Sequence, residues 1–255
     1  MNEFLLLFAG LLGGAVNTLA GGGSFIVFPA LLAVGVPPVL ANASNTYAAL
    51  PGYASGAFGL WKDVIAYRDR LLPYGIITAI FGYLGAELLL RVSDAQFSVV
   101  VPWLMLFAVA LFIFGGRINA FVAARAGTSR SAKAAGALLL LALLAGVSIY
   151  GGFFNAGLGV LLLAFLTLAG IANIHAANGL KLYCSTIVAV VAVARFAVAG
   201  SIDWYHGSIA LVGVTTGAYV AARLARHIPT GIIRGLVIVY GIGLTIYFFW
   251  KTYAV

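Results

Sequence analysis

Asn17-Thr18-Leu19-Ala20-Gly21-Gly22-Gly23-Ser24 is followed by an apolar run to Val34 that contains Pro29, then by Gly35-Val36-Pro37-Pro38, then by Asn42, Ser44, Asn45 and Tyr47. Helix breakers and small hydrogen-bonding side chains crowd a place where an uninterrupted apolar span is otherwise expected. The surrounding composition makes this unusual: 64% of the 255 residues are hydrophobic, 8% are charged and the mean hydropathy is +1.12. Those values lie outside the range of soluble domains and define an all-α polytopic membrane protein, with the lipid bilayer as its first partner. Met1-Asn2-Glu3 runs directly into Phe4-Leu5-Leu6-Leu7 with no basic leader, so the first apolar segment is expected to belong to the fold.

Working outward, the apolar segments fall at 4–19, 24–34, 39–60, 72–90, 97–115, 135–152, 158–169, 174–199, 207–224 and 231–250. A helix needs roughly 20 residues to cross the hydrocarbon core. Segments 24–34 and 158–169 are too short, and each lies between a glycine cluster and a break. They read as half-helices, either re-entrant or parts of broken spanning helices, which survive at membrane depth only when enclosed by protein or lining a wet cavity.

The order of segments repeats. A shift of 136 residues lays Ala20-Gly21 on Ala156-Gly157, Gly23 on Gly159, Asn42 on Asn178 and Tyr47 on Tyr183. The sequence thus predicts two repeats, 1–115 and 134–255, joined by a basic linker at 116–133, each with a broken or re-entrant helix pair followed by three transmembrane helices. An odd number of crossings per repeat makes their topologies inverted. The charges agree: Lys62, Arg68 and Arg70, then Arg117, Arg125, Arg130 and Lys133, then Arg223, Arg226 and Arg234, ten of the fourteen basic residues, fall in the breaks that are inside if both termini are periplasmic. The net charge of +8 is therefore read as positive-inside bias and attraction to anionic lipid, with no nucleic-acid partner.

No enzymatic arrangement stands out. His175, His206 and His227 are not spaced as a metal site, no pair of carboxylates lies within a span, and Gly21-Gly22-Gly23-Ser24 lacks the strand and lysine of a nucleotide loop. No catalytic residue, metal or cofactor is expected. Cys184, the single cysteine, reads as a packing residue. Glu87 and Arg91 have the spacing of a helical ion pair, and Arg195 has Asp203 as a candidate partner.

What remains is binding. A half-helix beginning at Ser24 turns its unpaired first amides and the positive end of its dipole inward, with Ser24 as cap or ligand donor, and Gly157-Leu158-Gly159 offers the same from the second repeat. Helix tips meeting near the midplane from two inverted repeats are the usual binding architecture of a secondary transporter. The candidate ligand-binding residues are Asn17, Gly21, Gly22, Gly23, Ser24, Asn42, Asn45 and Tyr47 in the first repeat, and Gly157, Gly159, Asn178 and Lys181 in the second. Lys181 is the sharpest, since a lysine inside an apolar span costs about 2.5–3.5 kcal/mol unless it finds a partner or reaches the interface. A small anion is the expected substrate, moved by a carrier or, alternatively, a passive channel; a proton or sodium ion is the candidate coupling partner.

Two motifs carry a resemblance. Gly13-Gly14-Ala15-Val16-Asn17-Thr18-Leu19-Ala20-Gly21-Gly22-Gly23-Ser24 with Pro29, Pro37-Pro38 and Ala43-Ser44-Asn45-Thr46, and in the second half Gly151-Gly152-Phe153-Phe154, Ala177-Asn178-Gly179-Leu180-Lys181-Leu182 and Ala199-Gly200-Ser201-Ile202-Asp203-Trp204, closely resemble the sulfite exporter TauE/SafE family, also called TSUP. The resemblance implies a multi-pass carrier of the bacterial inner membrane for sulfite, organosulfonates or related small anions. At Asn155-Ala156-Gly157-Leu158-Gly159 the chain departs from the family pattern, which often has proline and a further hydroxyl residue around these glycines.

Overall fold

The computed structural model describes residues 2–123, 130–224 and 230–253, and all of its regular structure is helical. Eleven helices run in order: α1 (Asn2–Ala20), α2 (Ser24–Ala33), α3 (Pro38–Gly59), α4 (Trp61–Ile65), α5 (Arg68–Leu90), α6 (Asp94–Ala123), α7 (Arg130–Phe153), α8 (Leu158–Leu168), α9 (Ile174–Val198), α10 (Trp204–Leu224) and α11 (Thr230–Tyr253). Asn2–Leu19, Arg68–Leu90, Ile174–Val198 and Gly235–Tyr253 are long and apolar enough to cross a membrane. Helix occupies most of the stretch read as a linker, since α6 runs to Ala123 and α7 starts at Arg130; residues 124–129 lie outside the described residues.

The two short helices match segments 24–34 and 158–169, and their limits follow from glycine backbone. Gly21 (φ 84°) and Gly157 (φ 87°) turn the chain before α2 and α8, and Gly35 (φ 90°) and Gly170 (φ 83°) turn it after them. These left-handed conformations cost about 1–2 kcal/mol for a residue carrying a Cβ. Pro37 and Pro38 then open α3 with Pro38 at its first turn, where a missing N–H is harmless. The Asn173 side chain opens α9, accepting from the amides of His175 (2.9 Å) and Ala176 (3.2 Å). Asp203 does the same for α10 through the amide of His206 (3.0 Å).

Both short helices are interior. Phe25, Val27, Phe28 and Leu31 of α2 are buried, and Phe28 meets Phe97 of α6, Phe154 beyond α7 and Phe248 of α11. In α8, Leu158, Leu161, Leu162, Phe165 and Leu166 are buried, with Phe165 edge-on to Tyr74 of α5. Large apolar side chains such as Phe4, Leu72, Leu138 and Val239 are instead exposed on the long helices, the surface that faces lipid. Lipid offers no hydrophobic drive between helices, so close packing must hold them together. It is closest at two glycine seams. Gly10 and Gly14 of α1 lie on the backbone of α10 at Ala210, Gly213 and Val214, and Gly152 of α7 lies on the backbone of α5 at Gly82 and Ala86. Between these seams α3 packs on α9, with Ala49, Tyr53 and Ala189 as a small core.

Side-chain links recur in matched places. Tyr47 of α3 reaches Ser208 near the start of α10 (3.3 Å), and Tyr183 of α9 donates to the Leu71 carbonyl near the start of α5 (3.0 Å). The Glu87–Arg91 pair expected from spacing is present at 3.2 Å. Arg195 differs from expectation: it pairs with Glu87 at 2.7 Å, while Asp203 holds His206 Nδ1 at 2.8 Å. The ends of α5 and α9 lie side by side, so the nearer carboxylate in space is 108 residues away in sequence.

Candidate binding site

The tips preceding α2 and α8 meet. A Cβ built on Gly159 would sit 3.5 Å from the Gly21 carbonyl oxygen and 3.5 Å from Cδ of Lys181, ordinary contact distance, so the second tip, the first tip and the lysine stem meet at one point. Lys181 is 5% exposed, and its ammonium donates to Asn178 Oδ1 at 3.2 Å. The Asn178 amide in turn donates to the Ile174 carbonyl (3.0 Å). None of the chain's six acidic residues belongs to the tips or to the polar stripes beside them: Glu3, Asp63, Asp69, Glu87, Asp94 and Asp203 all lie elsewhere. The charge thus rests on neutral partners.

Below the first tip, Gly13, Asn17, Gly23, Ser24, Asn45 and Ala49 enclose a cavity of about 10 Å³, space for one water-sized group. Asn17 and Gly23 are adjacent because Gly23 packs on the Gly13 backbone, a contact closed to any side chain. Phe25 donates to the Gly22 carbonyl and Ile26 and Val27 to that of Gly23, so the hydrogen-bond ladder of α2 begins at Phe25 and the amides of Gly23 and Ser24 precede it. Of the two roles open to Ser24, cap or ligand donor, the first falls away: Gly23 occupies the cap position with helical backbone (φ −59°, ψ −34°), which places Ser24 inside the first turn.

The walls are one face each of α3 and α9. Asn42, Asn45, Ala49 and Tyr53 recur at helical spacing on α3, as do Asn178, Lys181, Ser185 and Ala189 on α9. Asn42 donates to the Phe153 carbonyl at 2.8 Å, which ties it to the end of α7. Tyr53 donates to Asn155 Oδ1 at 3.1 Å. Among the described residues, four buried side-chain polar atoms have no partner: Asn42 Oδ1, Asn45 Nδ2, Asn155 Nδ2 and Ser185 Oγ. In an apolar interior each such atom costs about 1–3 kcal/mol, so their concentration on these two faces and beside the second tip points to a polar occupant.

Of the residues singled out in the sequence, Asn17, Gly21, Gly23, Ser24, Asn45, Gly159, Asn178 and Lys181 lie at the tips, the cavity or the lysine. Asn42 stands where α7 ends. Gly22 faces the side chains of Val237 and Phe25, and Gly157 sits against Ala108 with its left-handed turn shaping the tip. Tyr47 turns to α10, edge-on to Trp204. Tyr53 and Asn155 are additions. Continuing the helical spacing from Asn42 through Asn45 and Ala49 reaches Tyr53, and Asn155 is the one amide immediately before the second glycine turn.

Interior half-helices whose tips converge on a buried lysine, inside a shell of apolar long helices, are an arrangement that membrane transporters use. The chain belongs to the family described as Sulfite exporter TauE/SafE, whose model matches residues 6–248. It is 28% identical over 248 residues to a probable membrane transporter protein of Haemophilus influenzae, covering 94% of this chain and 92% of that protein. Identity is also 28% with the probable membrane transporter protein ORF9 of Sinorhizobium (94% and 90% covered) and with the probable membrane transporter protein YfcA of Escherichia coli K12 (92% and 85%). No solved structure matches the chain significantly. Family and relatives are membrane transporters, and the chain is accordingly not an enzyme.

Proposed function

We propose that the protein is a secondary transporter that moves a small anion, sulfite, an organosulfonate or a related sulfur oxyanion, across a bacterial inner membrane by alternating access. The observation that carries this reading is the buried ammonium of Lys181, without a carboxylate, at the point where Gly159 faces Gly21. The anion would supply the missing countercharge. The amides before Phe25, with Asn17, Asn45 and Asn178, would meet its oxygens. The family membership supports a sulfur oxyanion in particular.

The chain is read as two inverted repeats, with both termini periplasmic. Matched glycine turns at 21 and 157 and at 35 and 170, and the matched links of Tyr47 and Tyr183, support the duplication. The moving bodies cross the repeats, because each tight seam joins a helix of one to a helix of the other: α1 with α10, and α5 with α7. The cavity of about 10 Å³ beside Ser24 and Asn45 excludes a three-oxygen anion, so loading there requires its lining helices to move. A proton or sodium gradient would drive the cycle.

Uptake of sulfite, thiosulfate, sulfoacetate and sulfate into liposomes carrying the purified protein tests this. Saturable uptake that responds to a proton or sodium gradient is expected. Rapid, gradient-independent conductance would make the protein a channel, and no movement of any anion would overturn the reading.

A further inference from the structure

The tip region holds one side chain that bridges both halves of the proposed site. Tyr53 is 4% exposed, and its hydroxyl donates to Asn155 Oδ1 at 3.1 Å. That bond uses the phenol's single proton and holds the Asn155 oxygen, so donation runs from Tyr53 on α3 to Asn155 at the second tip.

The consequence falls on the far end. Asn155 is 2% exposed, its oxygen is occupied by Tyr53, and its Nδ2 group is one of the buried polar atoms with no partner. In this orientation the unpartnered end is the donor; reversing the amide would leave its oxygen unpartnered instead, an end that repels an anion. Asn45 Nδ2, on the wall of the cavity that Ser24 also lines, is a second unpartnered donor of the same kind.

We infer that Asn155 and Asn45 are side-chain donors that read the oxygens of the transported anion, and that Tyr53 is a positioning residue which locks Asn155 with its N–H groups facing the ligand. The inference rests on the anion-transport reading above and deepens it by naming what recognises the substrate. Tyr53 of α3 and Asn155 before α8 must hold their places for the bond to form, so it also ties recognition to the position of the second tip: when that tip moves from α3, the bond breaks and Asn155 is free to turn. An anion with three oxygens on one centre, such as sulfite or a sulfonate, can give a separate oxygen to each amide and to Lys181, whereas a two-oxygen carboxylate must share one oxygen between two of these donors.

The test is equilibrium binding of sodium sulfite and of sodium acetate to the full-length purified protein in detergent, with thermal unfolding of each variant as a check on folding. Asn155→Asp removes the donor and adds a like charge in an isosteric frame; sulfite affinity is expected to fall by about 100-fold. Tyr53→Phe keeps the ring against Ala49 and Ala189 and deletes the lock. It is expected to weaken sulfite about tenfold and acetate much less, because loss of orientation costs the extra donor rather than the fold. A wild-type protein that binds sulfite, with Tyr53→Phe and Asn155→Asp unchanged, overturns this inference and leaves the transport reading standing. An equal fall for sulfite and acetate in Tyr53→Phe overturns the positioning role. A wild-type protein that binds neither anion overturns both.

Discussion

The two glycine turns have the same backbone and different chemistry. Gly21 (φ 84°) and Gly157 (φ 87°) each reverse the chain before a buried short helix. The first turn is flanked by small, neutral groups, Asn17, Gly22, Gly23 and Ser24, and has open space around Gly21. The second is crowded, with a Cβ at Gly157 falling 2.7 Å from that of Ala108, and the lysine and the unpartnered Asn155 belong to its side. The two turns thus share a backbone geometry that leads into a buried short helix and differ in their side chains. In the proposed site one tip would supply backbone donors, and the other charge and a side-chain donor.

The largest test of this division is at the point of contact. Gly159→Leu places a branched side chain where the Gly21 carbonyl and the Lys181 stem lie at 3.5 Å, and anion uptake is expected to fall to background. Gly22→Leu directs its bulk at the side chains of Val237 and Phe25, which can shift, so it should keep measurable uptake. Equal loss in both variants would mean that the tips do not differ in how closely they approach the ligand.

Smaller effects sharpen the comparison of the turns. Gly21→Ala pays only for the left-handed backbone, about 1–2 kcal/mol. Gly157→Ala pays the same and also meets Ala108, so its thermal unfolding should begin at a lower temperature than that of Gly21→Ala. Smaller still are Tyr47→Phe and Tyr183→Phe. Each deletes one hydrogen bond to the start of the neighbouring long helix, α10 or α5, and each should cost about 0.5–1.5 kcal/mol with unfolding shifts of similar size. Strongly unequal shifts would separate the two links that the repeat equates.

Much of this was legible from residue types alone. Glycine clusters and short apolar runs located α2 and α8, because left-handed backbone and chain breaks select glycine and proline strongly. The 136-residue shift paired Gly21 with Gly157 before any geometry was known. Lysine in an apolar span announced itself by its cost. What sequence left hidden depends on which long helices become neighbours. Glu87 pairs with Arg195 as well as Arg91 because α5 and α9 end together, and Ser24 is not the cap because Gly23 already occupies that position. Asn155 reads as a departure from the family pattern in the sequence and as an unpartnered donor only once Tyr53 is placed beside it.

The central claim is that the buried lysine and the converging tips make one anion site. Calorimetric titration of sodium sulfite into the wild-type and Lys181→Ala proteins, each shown to be folded by size-exclusion chromatography, tests it directly. Saturable binding to the wild type that disappears in Lys181→Ala is predicted. Equal binding by both proteins would contradict the account.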